Sequence, residues 1–220
     1  LRDLSSETHK VLGVFAAGHT FIDRSEEVLR AEEWPLYQEW APTVAEMTDA
    51  ALRHLAGLDR RFLLVVEEEG SDNFANNNNA IGALTALGRA DEAIGVAMEY
   101  IETHPETLLL TAADSDAGGL EVYPIRDADS AVVERPLPAT TRNGGALDGR
   151  AGTRTPPFIS RPDRFGRTWP FGIAWASFDD DMGGIVAKAH GLNADLLPSN
   201  VDNTDIYRMM YATLFGIWLP

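Results

Sequence analysis

The chain has 220 residues, 45% of them hydrophobic, enough for one large α/β domain or part of a larger one. A formal net charge of -16 argues against nucleic acid as a partner, since phosphate backbones are held by basic surface, and reads first as a solvated acidic exterior. The absence of cysteine excludes disulfides, thiolate metal sites and a cysteine nucleophile, and no apolar run reaches the roughly 18 residues of a membrane span.

The N-terminal "LRDLSSETHK" lacks the basic start and long apolar stretch of a signal peptide. It also lacks an initiating Met, which suggests a processed protein or a piece of a longer one. Val11 to Ala16, "VLGVFA", predicts a buried strand. An acidic, Trp-containing connection follows. Thr43 then opens a helix whose Val44, Met47, Ala51 and Leu55 recur at helical spacing, with Gly57 as its C-cap. Phe62 to Val66, "FLLVV", predicts a second buried strand. It leads through "EEEGSDNFANNNNA" into a long helix over 80–103, whose Ala90, Ala93, Ile94, Ala97, Met98 and Ile101 share an apolar face. A third strand, "TLLLTAA", comes next. Strand, helix, strand, helix, strand implies a mainly parallel sheet covered on both faces. Residues 125–170, rich in Pro, Gly, Arg and Thr, predict an irregular insertion in a single domain over 1–220. "GGIVAKAHG" reads as one more strand, and "NVDNTDIYRMMYATLFGI" as a final helix capped by Asn203 or Thr204.

Three acidic stations stand out: Glu67 and Asp72 after "FLLVV", Asp114 after "TLLLTAA", and Asp179, Asp180 and Asp181 in "ASFDDDMGG". Successive strand ends meet on one edge of a parallel sheet, so Glu67, Asp72 and Asp114 are expected to converge, and oxygen ligands grouped this way suit divalent cations. Asp and Asn after a strand are equally ordinary turn and helix-cap residues, and both readings stay open on spacing alone.

Several segments together resemble the alkaline phosphatase family. "VLGVFAAGH" is similar to the family's "LLGLFADGN", "PTVAEMTDAALRHL" to "PTLAQMTDKAIELL", and "RRFLLVVEEEGSDNFANNNNAIGAL" to its "GFFLxVEGxxIDxxxH" segment. "RADEAIGVAMEYIETHPETLLLTAADSDAGG" is similar to "DLDEAVxxALxFAxxxxxTLVIVTADHxxGG", and "VDNTDIYRMM" to "TDQTDLFYTM". The resemblance implies a three-layer α/β/α fold, two zinc ions and one magnesium, and a Ser nucleophile acting on phosphate esters. It places Glu67 at the magnesium-ligand Glu, Asp72 at the Asp of the first zinc, and Asp114 at the Asp of the second.

The departures are systematic. Asn76 stands at the first family His, Ser115 at the second, so that "TADH" has become "AADS", and Asp180 or Asp181 at the third. His9, His19, His54, His104 and His190 lie outside these motifs and read as surface or packing residues. The family's N-terminal half, with its nucleophilic Ser, first metal-binding Asp and phosphate-gripping Arg, has no counterpart in the chain. Ser130, in "DADSAVV", falls at the wrong place in the order to replace that nucleophile.

An all-oxygen site favours magnesium, calcium or manganese over zinc, or holds no metal at all. Two functions are expected from this: a metal-dependent phosphoric ester hydrolase, catalytically incompetent as this chain alone, or a pseudoenzyme that keeps the fold as a binding module. The resemblance further implies a periplasmic or extracellular protein. It implies a homodimer, or pairing with the absent half. The Arg-rich loop 126–167 is expected to be a surface excursion in place of the family's variable crown, or an anion or partner grip.

Overall fold

A computed structural model describes residues 10–124, 140, 144, 147–149 and 158–220. Among the described residues, four α-helices precede the first strand. α1 (Glu26–Ala31) is capped by Ser25, and α2 (Val44–Ala56) by a reciprocal box between Thr43 and Glu46. α3 (Gly70–Asn76) is followed by α4 (Ala80–Thr103). Asn79 forms the cap of α4, its side chain accepting from Gly82 N at 2.7 Å and donating to Arg24 O at 2.8 Å from a fully buried position. That arrangement satisfies one orphan helix donor and anchors the chain before α1 at the same time.

α4 packs closely because its inner face is small. Ala80, Ala83, Ala86 and Ala93 are buried there, and Gly82 leaves room for the ring of Phe74, which a Cβ would overlap. Phe21 makes edge contacts with Tyr37 at 4.7 Å and Phe74 at 5.4 Å. With Leu29, Ile173 and Trp175 these rings form the core between the helices and the second sheet.

β1 (Leu108–Thr111) pairs antiparallel with β5 (Lys188–Gly191), Leu108 opposite Gly191. β2 (Leu120–Pro124), β3 (Phe158–Ile159) and β4 (Pro170–Trp175) form a three-stranded antiparallel sheet in the order β2-β4-β3. α5 (Asn203–Phe215) closes the chain and ends at Gly216 with φ 71°.

Several expectations are corrected here. All strand pairs among the described residues are antiparallel, so the mainly parallel sheet is not seen among them. Residues 11–16 and 62–66 belong to no strand, and Leu12, Val14, Leu63 and Val65 are exposed by 89, 76, 57 and 79%. An apolar run becomes a strand only when a neighbouring strand takes its main-chain hydrogen bonds, and neither run has one among the described residues. "GGIVAKAHG" contracts to β5, and the cap of α5 is Asp202, one residue before the expected pair. The Trp-containing connection holds α1, while β2 and β4 lie in stretches not expected to be strands. Ser130 and most of the Arg-rich loop 126–167 lie outside the described residues.

Candidate functional site

α3 carries Asp72 in its first turn and Asn76 as its last residue, four positions apart and so on one face. The "AADSDAGG" loop after β1 curls back against that face. Gly118 makes this possible: its backbone lies so close to the carbonyl of Ala75 that a Cβ would overlap the oxygen. Gly119 follows in the left-handed region at φ 63°. Together they bring Ser115 to Asp72, with its Oγ donating to Asp72 Oδ1 across a long 3.5 Å and accepting from Ala117 N at 3.1 Å.

The 177–181 segment completes the cluster. Asp116 N donates to Asp181 O at 2.9 Å and Asp181 N to Ala117 O at 2.7 Å, which fixes the two loops side by side. Asn78 ties the same segment to α3 by donating to both Ala75 O and Ser177 O. Asp180 then faces α3. Asn76 Nδ2 donates to Asp180 Oδ1 at 2.7 Å and to Asp72 Oδ2 at 3.3 Å. Asp181 turns away and accepts from Ser177 Oγ at 2.9 Å. Of the two residues expected at the third family His, Asp180 is therefore the one that meets Asp72 and Asn76.

Burial pushes the Asp72 carboxyl above its ordinary value, and the charges of Asp180, Asp114 and Glu69 push it the same way. None of the ion pairs among the described residues reaches this group. The side-chain oxygen of Asn76 is buried and has no hydrogen-bond partner. Asp114 contributes through its field and is itself exposed. Glu67 is also exposed and stays outside the cluster, because the run before it is not held in a sheet. Among the described residues, no three His, Asp or Glu side chains are grouped closely enough to hold an ion between them.

The expected surface and packing roles of the histidines fit where they are described. His104 stacks on Tyr100 at 3.9 Å, and exposed His19 lies 3.5 Å from the Asn73 amide. One buried acid had no signal in the sequence reading. Asp148, 1% exposed, accepts from Ala80 N at the start of α4 and from Trp175 Nε1 at 3.1 Å. Burial and then the charge of Glu26 raise its carboxyl to about 7, against its two hydrogen bonds. It lies in the Gly-rich stretch that the sequence suggests only as loop.

The donor set is oxygen throughout: carboxylates from Asp72 and Asp180, the Asn76 amide and the Ser115 hydroxyl. It suits a hard cation and lacks the imidazoles that favour zinc. An α/β scaffold that gathers acidic groups beyond the end of a strand has the build of a ligand site at its sheet edge. The chain belongs to the alkaline phosphatase family, whose model matches residues 1–144.

Among its relatives, alkaline phosphatase 3 of Bacillus subtilis is 26% identical over 121 residues, which cover 54% of this chain and 23% of that protein. Streptomycin-6-phosphate phosphatase of Streptomyces griseus is 31% identical over 122 residues, covering 52% of this chain and 26% of that one. The chain thus spans about a quarter of the length of these relatives. The solved alkaline phosphatase of the Antarctic bacterium TAB5 superposes with a TM-score of 0.56 at 15% identity, over 80% of this chain and 42% of its own. A cold-active enzyme from Shewanella sp. gives 0.55 at 21% identity, over 80% and 51%. At these identities the structural likeness establishes the alkaline-phosphatase-like fold. A variant of the TAB5 enzyme is described with magnesium bound.

Proposed function

We propose that the chain is the metal-site portion of a phosphoric ester hydrolase of the phosphomonoesterase type, with an oxygen-rich cation site, and that it is inactive alone. The observation that carries this reading is the convergence of Asp72, Asn76 and Asp180 from segments 104 positions apart, around a carboxyl that lacks a compensating charge. Asp72 and Asp180 are the ligands this reading assigns, with Asn76 and Ser115 as neutral oxygen donors and Asp114 as a supporting charge. Bound there, a magnesium, calcium or manganese ion would supply charge stabilisation to a phosphoryl oxygen. The chain's own contribution is positional. Asn76 donates to both carboxylates and so ties Asp180 to the face of α3 that carries Asp72, and Gly118 sets the Ser115 loop against them. The family's nucleophile has no counterpart among the residues assigned here, so turnover requires a group from outside them.

A pseudoenzyme is the competing reading, favoured by one observation: Asn76 already joins Asp72 and Asp180 by hydrogen bonds without any ion. Calorimetric titration with magnesium, calcium, manganese and zinc separates the two. Saturable heat with a hard cation, weaker with zinc and abolished in Asp72→Ala, is the expected result. No heat with any of the four metals overturns the cation site and leaves the pseudoenzyme.

A further inference from the structure

Cations are unevenly placed along this acidic chain. Eight of the 18 Lys and Arg lie between 126 and 167, with only five of the 34 acids, so that segment is net positive in a chain of net charge -16. Its last part, Ser160 to Trp169, is the hairpin connection between β3 and β4. Asp163 locks this hairpin. Its carboxylate accepts from Phe165 N at 2.7 Å, from Arg167 N at 3.0 Å and from Arg167 Nε at 3.0 Å. At the base, Ser160 N donates to Trp169 O at 2.9 Å, and Trp169 N to Ser160 Oγ at 3.0 Å. The turn is thus held in one shape by its own hydrogen bonds.

On that frame cations alternate with rings. The guanidiniums of Arg164 and Arg167 lie over Phe165 at 4.7 and 5.0 Å, and Arg167 also lies over Trp169 at 5.0 Å. A guanidinium stacked on a ring keeps its N–H groups in its own plane, where they can meet an oxyanion through paired bonds. Arg167 is engaged with Asp163 at 2.9 Å. Arg161 and Arg164 are exposed, and their side chains make no hydrogen bond or ion pair among the described residues. The hairpin therefore displays two uncommitted cations on a rigid mount, one of them set against a Phe165 ring that is itself 65% exposed.

We propose that the 160–169 hairpin is a docking site for a linear polyanion of repeated phosphate groups, held by Arg161 and by Arg164 on its Phe165 platform. A single phosphate on an exposed arginine is held weakly, because solvent screens the pair. A chain of phosphates makes each further contact intramolecular, so weak contacts accumulate. The rest of the chain carries 29 acids against ten bases, which turns such a polymer away from other faces. At physiological salt the screening length is about 8 Å, so the hairpin's own charges dominate at its tip. The hairpin and the acidic site lie at opposite ends of β4: one precedes Pro170, the other follows Trp175, and six strand residues at about 3.3 Å each separate them by about 20 Å. The docking site is therefore distinct from the cation site. Only the choice of phosphate over carboxylate repeats rests on the hydrolase reading above.

Calorimetric titration of the full 220-residue chain with short-chain inorganic polyphosphate tests it, in EDTA so that no divalent ion bridges protein and polymer. Saturable binding is expected, about tenfold weaker at about 200 mM salt than at about 50 mM, as two or three phosphate contacts require. Arg161→Ala/Arg164→Ala should weaken it at least about tenfold with an unchanged denaturation midpoint, while Asp72→Ala and the control pair Arg30→Ala/Arg60→Ala leave it as it was. No binding overturns the proposal, and so does an equal loss in the control pair, which would make the attraction unspecific. Polyglutamate of matched charge binding as tightly as polyphosphate overturns the phosphate class. Self-association at low salt that disappears in the arginine variant also overturns the proposal, because the occupant is then the acidic face of a second copy. The metal titration described above reads the other site, so either result can fail without the other.

Discussion

The polar corner built by α3, the start of α4 and the 114–119 loop contrasts with the apolar run at 62–66 only a few residues earlier. In the corner almost every side chain has a partner supplied by this chain: Asn78 bridges two carbonyls, Asn79 caps α4, and Asp148 accepts from a helix N–H and an indole. The run has the stronger local signal, five consecutive apolar residues, and yet it has no main-chain partner among the described residues and is largely exposed. A helix cap is satisfied within a few residues of itself, whereas a strand is satisfied only by another strand. Apolar content decides what a segment can become, and the availability of a neighbour decides whether it does.

That contrast can be broken or sharpened by substitution. The largest effect is expected at Gly118, where Gly118→Ala drives a methyl group into the Ala75 carbonyl. A destabilisation of about 3 kcal/mol in chemical denaturation would reflect overpacking with backbone displacement. A neutral outcome would show that the loop is not seated on α3. Asn79→Ala removes a cap and leaves the Arg24 carbonyl without its donor, and should cost about 2 kcal/mol by the same measurement.

Asp148 gives a pH-dependent version of the same comparison. Its carboxyl, ordinarily near 3.8, is raised to about 7 in the fold, so the folded state binds its proton more tightly than the unfolded chain. The stability this confers is complete below the ordinary value and is lost as pH rises through about 7. Denaturation midpoints between pH 4 and 8 should fall with pH in the native chain. In Asp148→Asn they should fall less steeply, because the amide oxygen keeps the acceptor role without ionising. Equal slopes would mean that Asp148 is not buried as described. The smallest effect is expected in the exposed run: Val65→Thr should change the stability of this chain by less than about 0.5 kcal/mol. A loss above 2 kcal/mol would mean that the run is packed after all.

Much of the helical part is legible in the sequence because its signals are local. The span of α4, the start of α2 at Thr43 and its stop at Gly57 follow from caps and spacing. α1 is too short to show periodicity, and β2 and β4 are strands only by virtue of each other. In the site, Asp72, Asn76, Ser115 and Asp180 are named by motif order, and the structure brings them together. Motif order left Asp180 and Asp181 equivalent, and the backbone pairing of 116 with 181 is what separates them. Glu67 does not join because its position depends on the unpaired run. Asp148 was invisible, since a lone Asp in a Gly-rich loop carries no sign that it will be buried under a helix end. The buried Asn79 has a signal after all, an Asn directly before the first residue of a long helix.

The hydrogen bond from Asn76 to Asp180 joins residues 104 positions apart. The contacts among α2, α3 and α4 need no such closure. Bringing the ends of a long loop together costs entropy before any contact repays it, and formation slows as the separation of partners grows. The corner's helices are thus the early part of the fold, and the acidic cluster closes late. During synthesis, Asp72 and Ser115 emerge well before Asp180, so the site stays open until the 177–181 segment has been made.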